Sequence, residues 1–287
     1  MPESDLIVRA MANDASFRVI ATRSSLTAKG TVQSQSPDGK QSNPLLGALG
    51  DLCTGVLLIR ETMAPQLRVQ GIVKNKKTKH TLVADSRPDG NTRGLIAANN
   101  ATGEFSLDGA LLQLMRTLHD GRLHQGLIEL DGGASISSAL TAYMYTSEQI
   151  ESMIRVETIL EDGVVTGAGG YLIQLLPEVG KGPVMLMEQR HADLAHLREL
   201  VDKPDFTPKT IVEELLYGMP MTWLEESKIR YGCWCSRESV LSSLASLPRK
   251  EVEELARDEE VLEIDCDYCH EEYQIRPIEL QGLLTPN

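Results

Sequence analysis

Two short stretches, Cys233-Trp234-Cys235 and Cys266-Asp267-Tyr268-Cys269, stand thirty residues apart near the end of a 287-residue chain. Two close cysteine pairs can wrap one ion with four thiolates, the soft tetrahedral ligand set that zinc prefers. A segment of this size has too little interior to be stable through its core alone, so a bound metal would help it fold. The first pair is unusual. Zinc modules commonly separate paired ligands by two to four residues, whereas here a single residue lies between the thiols. If the metal leaves, either pair is close enough to close a small disulfide, and tight loops of this kind are readily reduced again. Spacing alone therefore leaves two roles open, a structural zinc site and a reversible redox switch. Cys266-Asp267-Tyr268-Cys269-His270 also fits the Cys-x-x-Cys-His pattern of haem attachment, but that reading leaves Cys233 and Cys235 without a role. With four thiolates completing a tetrahedron, His270 is expected to be an exposed neighbour of the site.

The charge distribution sets this tail apart. The whole chain carries 28 basic and 41 acidic residues, a net charge of −13. Residues 1–177 are nearly balanced at 16 basic and 18 acidic, whereas residues 233–287 hold 5 basic and 13 acidic, a net of −8. Such acidity disfavours phosphate backbones and anionic membranes as partners. Aromatic residues make up 4% of the chain, too few for a base-stacking platform.

Upstream, the pattern alternates between strand and helix periods. Phe17-Arg18-Val19-Ile20-Ala21-Thr22, Leu67 to Val73 and Thr81 to Ala84 read as strands. Leu112 to Leu118 and Leu123 to Leu130 form a hairpin around Asp120-Gly121, and Ile154 to Leu160 with Gly170 to Leu176 form another around Glu161-Asp162-Gly163. Ile136, Leu140, Tyr143 and Met144 share one helical face, with Ser135 or Ser137 as the cap. The apolar run Leu45 to Ile59 is interrupted by Asp51 and three glycines and is short of the ~20 residues a bilayer requires. It reads as a buried helix, with Cys53 as a small buried hydrophobe. Gly167-Ala168-Gly169-Gly170 lacks the dinucleotide-binding order and reads as a tight strand entry. His119 and His124 flank a turn and are expected to be solvated. Pro177, Gly180, Gly182 and Pro183 mark a boundary, beyond which helical pieces are expected over 188–202 and from 211 to 217, in a stretch that also carries Met185, Met187, Met219 and Met221. The start Met1-Pro2-Glu3-Ser4-Asp5 is acidic and unlike a secretory leader, so the glycosylation triplet at Asn100 carries no weight and the cytoplasm is the expected compartment.

The fold class is accordingly α+β. It comprises a core domain over 1–177 with a largely antiparallel sheet and packed helices, a helical linker over 178–231, and a small zinc-binding domain over 232–287. Residues 1–177 are expected to fold without the rest.

The cysteine module resembles the 33-kDa heat-shock protein family of redox-regulated holdase chaperones. The matching residues are Cys233-Trp234-Cys235-Ser236-Arg237-Glu238, a helical stretch with Leu241, Leu244 and Leu247, then Cys266 to Cys269 and Tyr273. The likeness extends to Gly126 through Leu130, to Ala139, Leu140 and Tyr143, to Ser147-Glu148-Gln149, and to Ala168 through Pro177. The resemblance implies a chaperone and not an enzyme. It implies one Zn2+ held by Cys233, Cys235, Cys266 and Cys269 in the reduced, inactive state. On oxidation it implies disulfides Cys233–Cys235 and Cys266–Cys269, release of zinc, unfolding of the tail and linker, and capture of unfolding client proteins, often as a homodimer. The competing reading is a zinc-ribbon module that binds proteins or nucleic acid, against which the acidity of the tail argues. A thiol oxidoreductase using Cys266 and Cys269 is a third, without the flanking signature of thioredoxins.

Overall fold

The computed structural model describes residues 4–64, 66–98, 101–118, 121–176, 181–257 and 260–284. Met1–Glu3 of the acidic start, Asn100, His119, Asp120, Pro177 and Gly180 lie outside the described residues. The chain divides into two units, Met1–Gly232 and Cys233–Asn287.

In the first unit, strands β1 (Asp5–Ala12) and β2 (Phe17–Arg23) precede helices α1 (Ser25–Gln35) and α2 (Asn43–Arg60). Five strands follow: β3 (Val69–Asn75), β4 (Thr81–Ser86), β5 (Asn91–Ala97), β6 (Ala110–Thr117) and β7 (Leu123–Glu129). Helix α3 (Ile136–Thr146) leads into the long hairpin of β8 (Ser152–Glu161) and β9 (Val164–Leu175). Then come α4 (Lys181–Asp193), a 3-10 turn over Leu194–His196, α5 (Leu197–Val201), α6 (Pro208–Leu215), β10 (Met221–Trp223) and β11 (Ser227–Tyr231).

One mostly antiparallel sheet gathers these strands in the order β7-β6-β3-β4-β5-β11-β1-β2-β9-β8, with β10 added alongside β1. Helix α2 is its hub. Pro44 sits in the first turn, where its missing N–H costs nothing, and thirteen of the eighteen residues are buried. A helix apolar on nearly every side must be enclosed. Leu49, Leu52, Val56 and Ile59 pack in one cluster with Ile7, Ile20 and Leu172 of one half-sheet and Val69, Leu82 and Leu112 of the other. Gly55 permits the close approach of α3, since a Cβ there would lie 2.1 Å from Leu140 Cδ1. Ser135 caps α3 by accepting from Ser138 N–H, and the Ser138 hydroxyl accepts from Ser135 N–H in return.

The second sheet face, lined by Val8, Phe17, Val19, Tyr171 and Ile173, is covered by Leu194, Leu197, Leu200, Ile211 and Leu215 of the segment after β9. Arg155 of β8 donates to Leu194 O at 2.7 Å, and Tyr171 hydroxyl is hydrogen-bonded to His191 Nδ1 at 3.1 Å. Residues 181–231 of the stretch 178–231 that reads from sequence as a helical linker form a layer of helices and two strands of the first unit. The glycines at 167–170 serve strand packing: a Cβ on Gly170 would lie 2.6 Å from Arg155 O.

Asp51 is an exception on α2. Its Oδ1 is buried without a hydrogen-bond partner, and burial, followed by the nearby Glu157 charge, pushes its pKa up to about 8. In the unfolded chain it ionises near ~4. Between those values the folded state keeps a proton that the unfolded chain has released, so this stability is present at low pH and lost as pH rises, at most ~1.4 kcal/mol per unit. Asp51→Asn is expected to flatten the decline in stability between about pH 5 and 8 and to raise stability at the upper end. Denaturant titrations across that range check it, and an unchanged slope contradicts it.

Candidate metal centre

In the second unit, α7 (Arg237–Ala245) and α8 (Arg249–Arg257) precede a hairpin of β12 (Leu262–Asp265) and β13 (Glu272–Ile275), and α9 (Pro277–Leu284) closes it. Its core is small: Leu244, Ala256, Ile275 and Leu280 are buried, with Val240, Leu255, Leu262 and Ile264 partly so. Arg237 at the start of α7 donates to both carboxylate oxygens of Glu279 at 2.7 Å, and Arg276 donates to Glu279 through its backbone N–H and Nε. These donors, Arg237 first, hold the Glu279 pKa down to about 2.

The hairpin presents the second cysteine pair. Asp265 faces Glu272 at its end. Between them Cys266 N–H donates to Glu271 O at 3.0 Å, and His270 N–H returns to Cys266 O at 2.7 Å. His270 takes a left-handed backbone, φ 58°, to reverse the chain, and its side chain is exposed. The first pair lies in the non-helical segment ahead of Ser236, whose hydroxyl caps α7 by accepting from Ser239 N–H at 3.2 Å.

The ligand atoms of Cys233, Cys235, Cys266 and Cys269 all lie within 4.8 Å of one another. Cys233 Sγ is 3.7 Å from Cys266 Sγ, and Cys235 Sγ is 3.4 Å from Cys269 Sγ. A zinc–sulfur bond of ~2.3 Å implies tetrahedral edges of ~3.8 Å, so the donor set fits the ion in kind and in spacing. The surroundings fit too. Tyr273 hydroxyl donates to Cys235 Sγ at 3.1 Å, backbone N–H groups of Tyr268 and Cys269 face the Cys266 sulfur, and that of Glu271 faces Cys269. Donors of this kind orient metal-bound thiolates and spread their charge. Desolvation and then the neighbouring thiols push Cys266 and Cys269 upward, since four crowded sulfurs resist ionising together without a cation among them.

All four sequence-selected cysteines therefore come together, and Cys53 does not join them. Cys53 lies in α2 at 1% exposure, where burial pushes its thiol up to about 12. Cys53→Ser is expected to keep full metal content by elemental analysis; a loss of metal in that variant would contradict a four-thiolate site. Sequence reasoning quoted Tyr273 without giving it a role. The one available signal was its place four residues beyond Cys269, on the returning strand of the same hairpin.

A family model described as Hsp33 protein matches residues 5–276. A 33 kDa chaperonin of Agathobacter rectalis is 30% identical over 299 residues, covering 98% of this chain and 99% of the relative. The 33 kDa chaperonin of Bacillus subtilis is 25% identical, covering 97% of this chain and 98% of its own. The crystal structure of the 33 kDa chaperonin from Thermotoga maritima, a heat shock protein 33 homolog, shares the fold with a TM-score of 0.81 at 22% identity, covering 98% of each chain.

Proposed function

The chain belongs to the Hsp33 protein family, whose members are chaperones and not enzymes, and from that premise we propose that it is a redox-regulated holdase, inactive with zinc bound and activated by oxidation of its tail. The observation that carries the reading is the cluster of four sulfurs at the tip of a module whose own core is small. Cys233, Cys235, Cys266 and Cys269 are the proposed ligands. Zinc bound there would cross-link the start of the tail to its β12–β13 hairpin, a contribution of ~10–16 kcal/mol in small zinc-folded peptides.

The proposed oxidant is a peroxide. Each cysteine pair loses two electrons as its S–S bond forms, and each hydrogen peroxide accepts two electrons and two protons to become two waters. The proposed pairs are Cys233–Cys235 and Cys266–Cys269. In the reduced arrangement the short Sγ–Sγ distances run across the pairs, from Cys233 to Cys266 and from Cys235 to Cys269. Cross-pair bridges would close loops of over thirty residues and restrain the unfolded tail, whereas bridges within the pairs close loops of a few residues and restrain it little. Only the latter remove the ligands and leave the tail free to unfold. Its 13 acidic groups against 5 basic ones then favour an expanded chain. The proposed partners are unfolding proteins, with a homodimer in the oxidised state, in the cytoplasm. Among the described residues no helix is long and apolar enough to cross a membrane.

The test is aggregation of heat-unfolding malate dehydrogenase in the presence of the full chain. Peroxide-treated protein, zinc lost and both pairs closed by mass mapping, is expected to suppress light scattering; reduced, zinc-loaded protein is expected not to. Equal suppression by both forms, or by neither, overturns the reading.

A further inference from the structure

Among the described residues β11 alone pairs with both half-sheets. On one side Ile229, Lys228 and Ser227 lie antiparallel to Asp5, Leu6 and Ile7 of β1. On the other, Arg230 and Tyr231 run parallel to Asn91 and Thr92 of β5. Arg230 N–H donates to Gly90 O and Gly232 N–H to Thr92 O, each at 3.1 Å. Both ladders are short. Of the five side chains only Ile229 is buried, in the cluster around α2, while Lys228 and Arg230 are exposed. β11 is held by its two short backbone ladders, by Ile229 in the core, by side-chain bonds from Arg9 to Ser227 Oγ and from Arg230 Nε to Asn91 Oδ1, and by Tyr231 packed closely over Gly30 of α1. Its last residue, Tyr231, is separated from Cys233 by Gly232 alone.

We infer that β11 is an internal occupant of a strand-binding slot between β1 and β5, and that when β11 leaves, the slot takes an extended segment of a non-native polypeptide. The inference rests on the redox reading above and names the surface that reading lacks. Unfolding of the tail removes the structured segment that begins one residue after Gly232, and a short strand at the end of a folded unit is among the first to open. Its departure leaves the facing edges of β1 and β5 with unpaired N–H and C=O groups, which template another strand. The gap does not depend on β11 to stay open, because α2 packs against strands of both halves. A chain entering it makes the same backbone ladders whatever its sequence. The side-chain requirements are an aliphatic at the Ile229 position and a side chain that fits over Gly30 at the Tyr231 position, with exposed neighbours between, the alternation of an ordinary half-buried strand. Unfolding proteins expose segments of that kind. Refolding of the tail on reduction returns β11 as a competitor, which provides a route for release.

Leu6 and Lys228 are opposed across the β1–β11 ladder, Leu6 half-buried and Lys228 exposed, so Leu6→Cys with Lys228→Cys can clamp β11 in place. The probe is reduced, carboxymethylated α-lactalbumin, a permanently unfolded protein, added to the peroxide-treated full chain. With the clamp closed and both tail disulfides mapped, capture of the probe is expected to fall about tenfold or more relative to oxidised wild type, and each single substitution is expected to capture normally. Undiminished capture by the clamped chain overturns the slot. A second readout needs no variant. In oxidised wild type, the segments 5–7 and 91–92 are expected to lose amide-exchange protection and regain it with the probe bound. Capture with those segments protected throughout, or with new protection confined to the edge strand β7, also overturns the slot while leaving the holdase reading intact. If oxidised wild type captures no probe at all, the holdase reading itself fails.

Discussion

Replacing Cys269 by serine is expected to abolish metal binding and unfold residues 233–284, while the first unit up to β10 keeps its fold. Serine offers no soft thiolate, and three remaining ligands leave the tetrahedron open. The tail has little else to hold it. Among the described residues five side chains are buried there, Leu244, Val252, Ala256, Ile275 and Leu280, the Arg237–Glu279–Arg276 network is on the surface, and α8 and its flanks are dense in acid. Surface ion pairs contribute ~0–1 kcal/mol each, an order of magnitude below a structural zinc. Elemental analysis should give near-zero zinc. Amide exchange should be fast throughout 233–284 and slow in α2 and β9. A tail that stays protected without metal would show that its core suffices. If the redox reading holds, the same variant should suppress client aggregation without oxidant, since it imitates the loss of the ion.

A chain ending at residue 177 is expected to lose cooperative folding, and one ending at residue 232 to keep it. The sequence-level expectation was that 1–177 is self-sufficient, because its alternation and charge balance look complete. The structure places the face bearing Val8, Phe17, Val19, Tyr171 and Ile173 beneath Met187, Leu194, Leu197, Leu200, Ile211 and Leu215. Removing that layer returns each of these side chains to water at ~1.5–3 kcal/mol apiece, against a usual domain stability of ~5–15 kcal/mol. Thermal melts followed by near-UV circular dichroism separate the outcomes. A sharp transition in the 177-residue chain would mean that the layer of α4 to α6 is dispensable.

Much of the architecture was legible because the residues concerned carry their own periodicity. Strand β6 alternates, β2 and β9 carry near-continuous apolar runs, and α3 has its face and its serine cap within eleven residues. Helix α1 was not read. Thr27, Ala28, Thr31, Val32 and Gln35 are its buried residues, a weakly apolar face. Asp5 of the distant β1 meets its first turn, accepting from Leu26 N–H, Thr27 N–H and the Thr27 hydroxyl. No local window contains that partner. Strand β5 and helices α8 and α9 went unread as well. In α8 Val252 and Ala256 are buried in a nine-residue run otherwise dominated by charge, too sparse a pattern to stand out.

The sequence by itself determined the metal-ligand candidates and the buried helix. Within each cysteine pair, at one- and two-residue spacing, local geometry keeps the thiols near one another, and two such pairs in one short tail are enough to nominate a four-thiolate site. A fifteen-residue apolar run such as Leu45 to Ile59 has no stable place except an interior. Only the tertiary structure decided that 221–223 and 227–231 are strands and that 181–216 form a layer of the first unit. Ser227-Lys228-Ile229-Arg230-Tyr231 has a single strong hydrophobe, and its conformation comes from hydrogen bonds to β1 and β5, which lie far away in sequence. A strand of that length has no stability of its own; its ladder exists only once both neighbours are in place, so nothing local to those residues announces it.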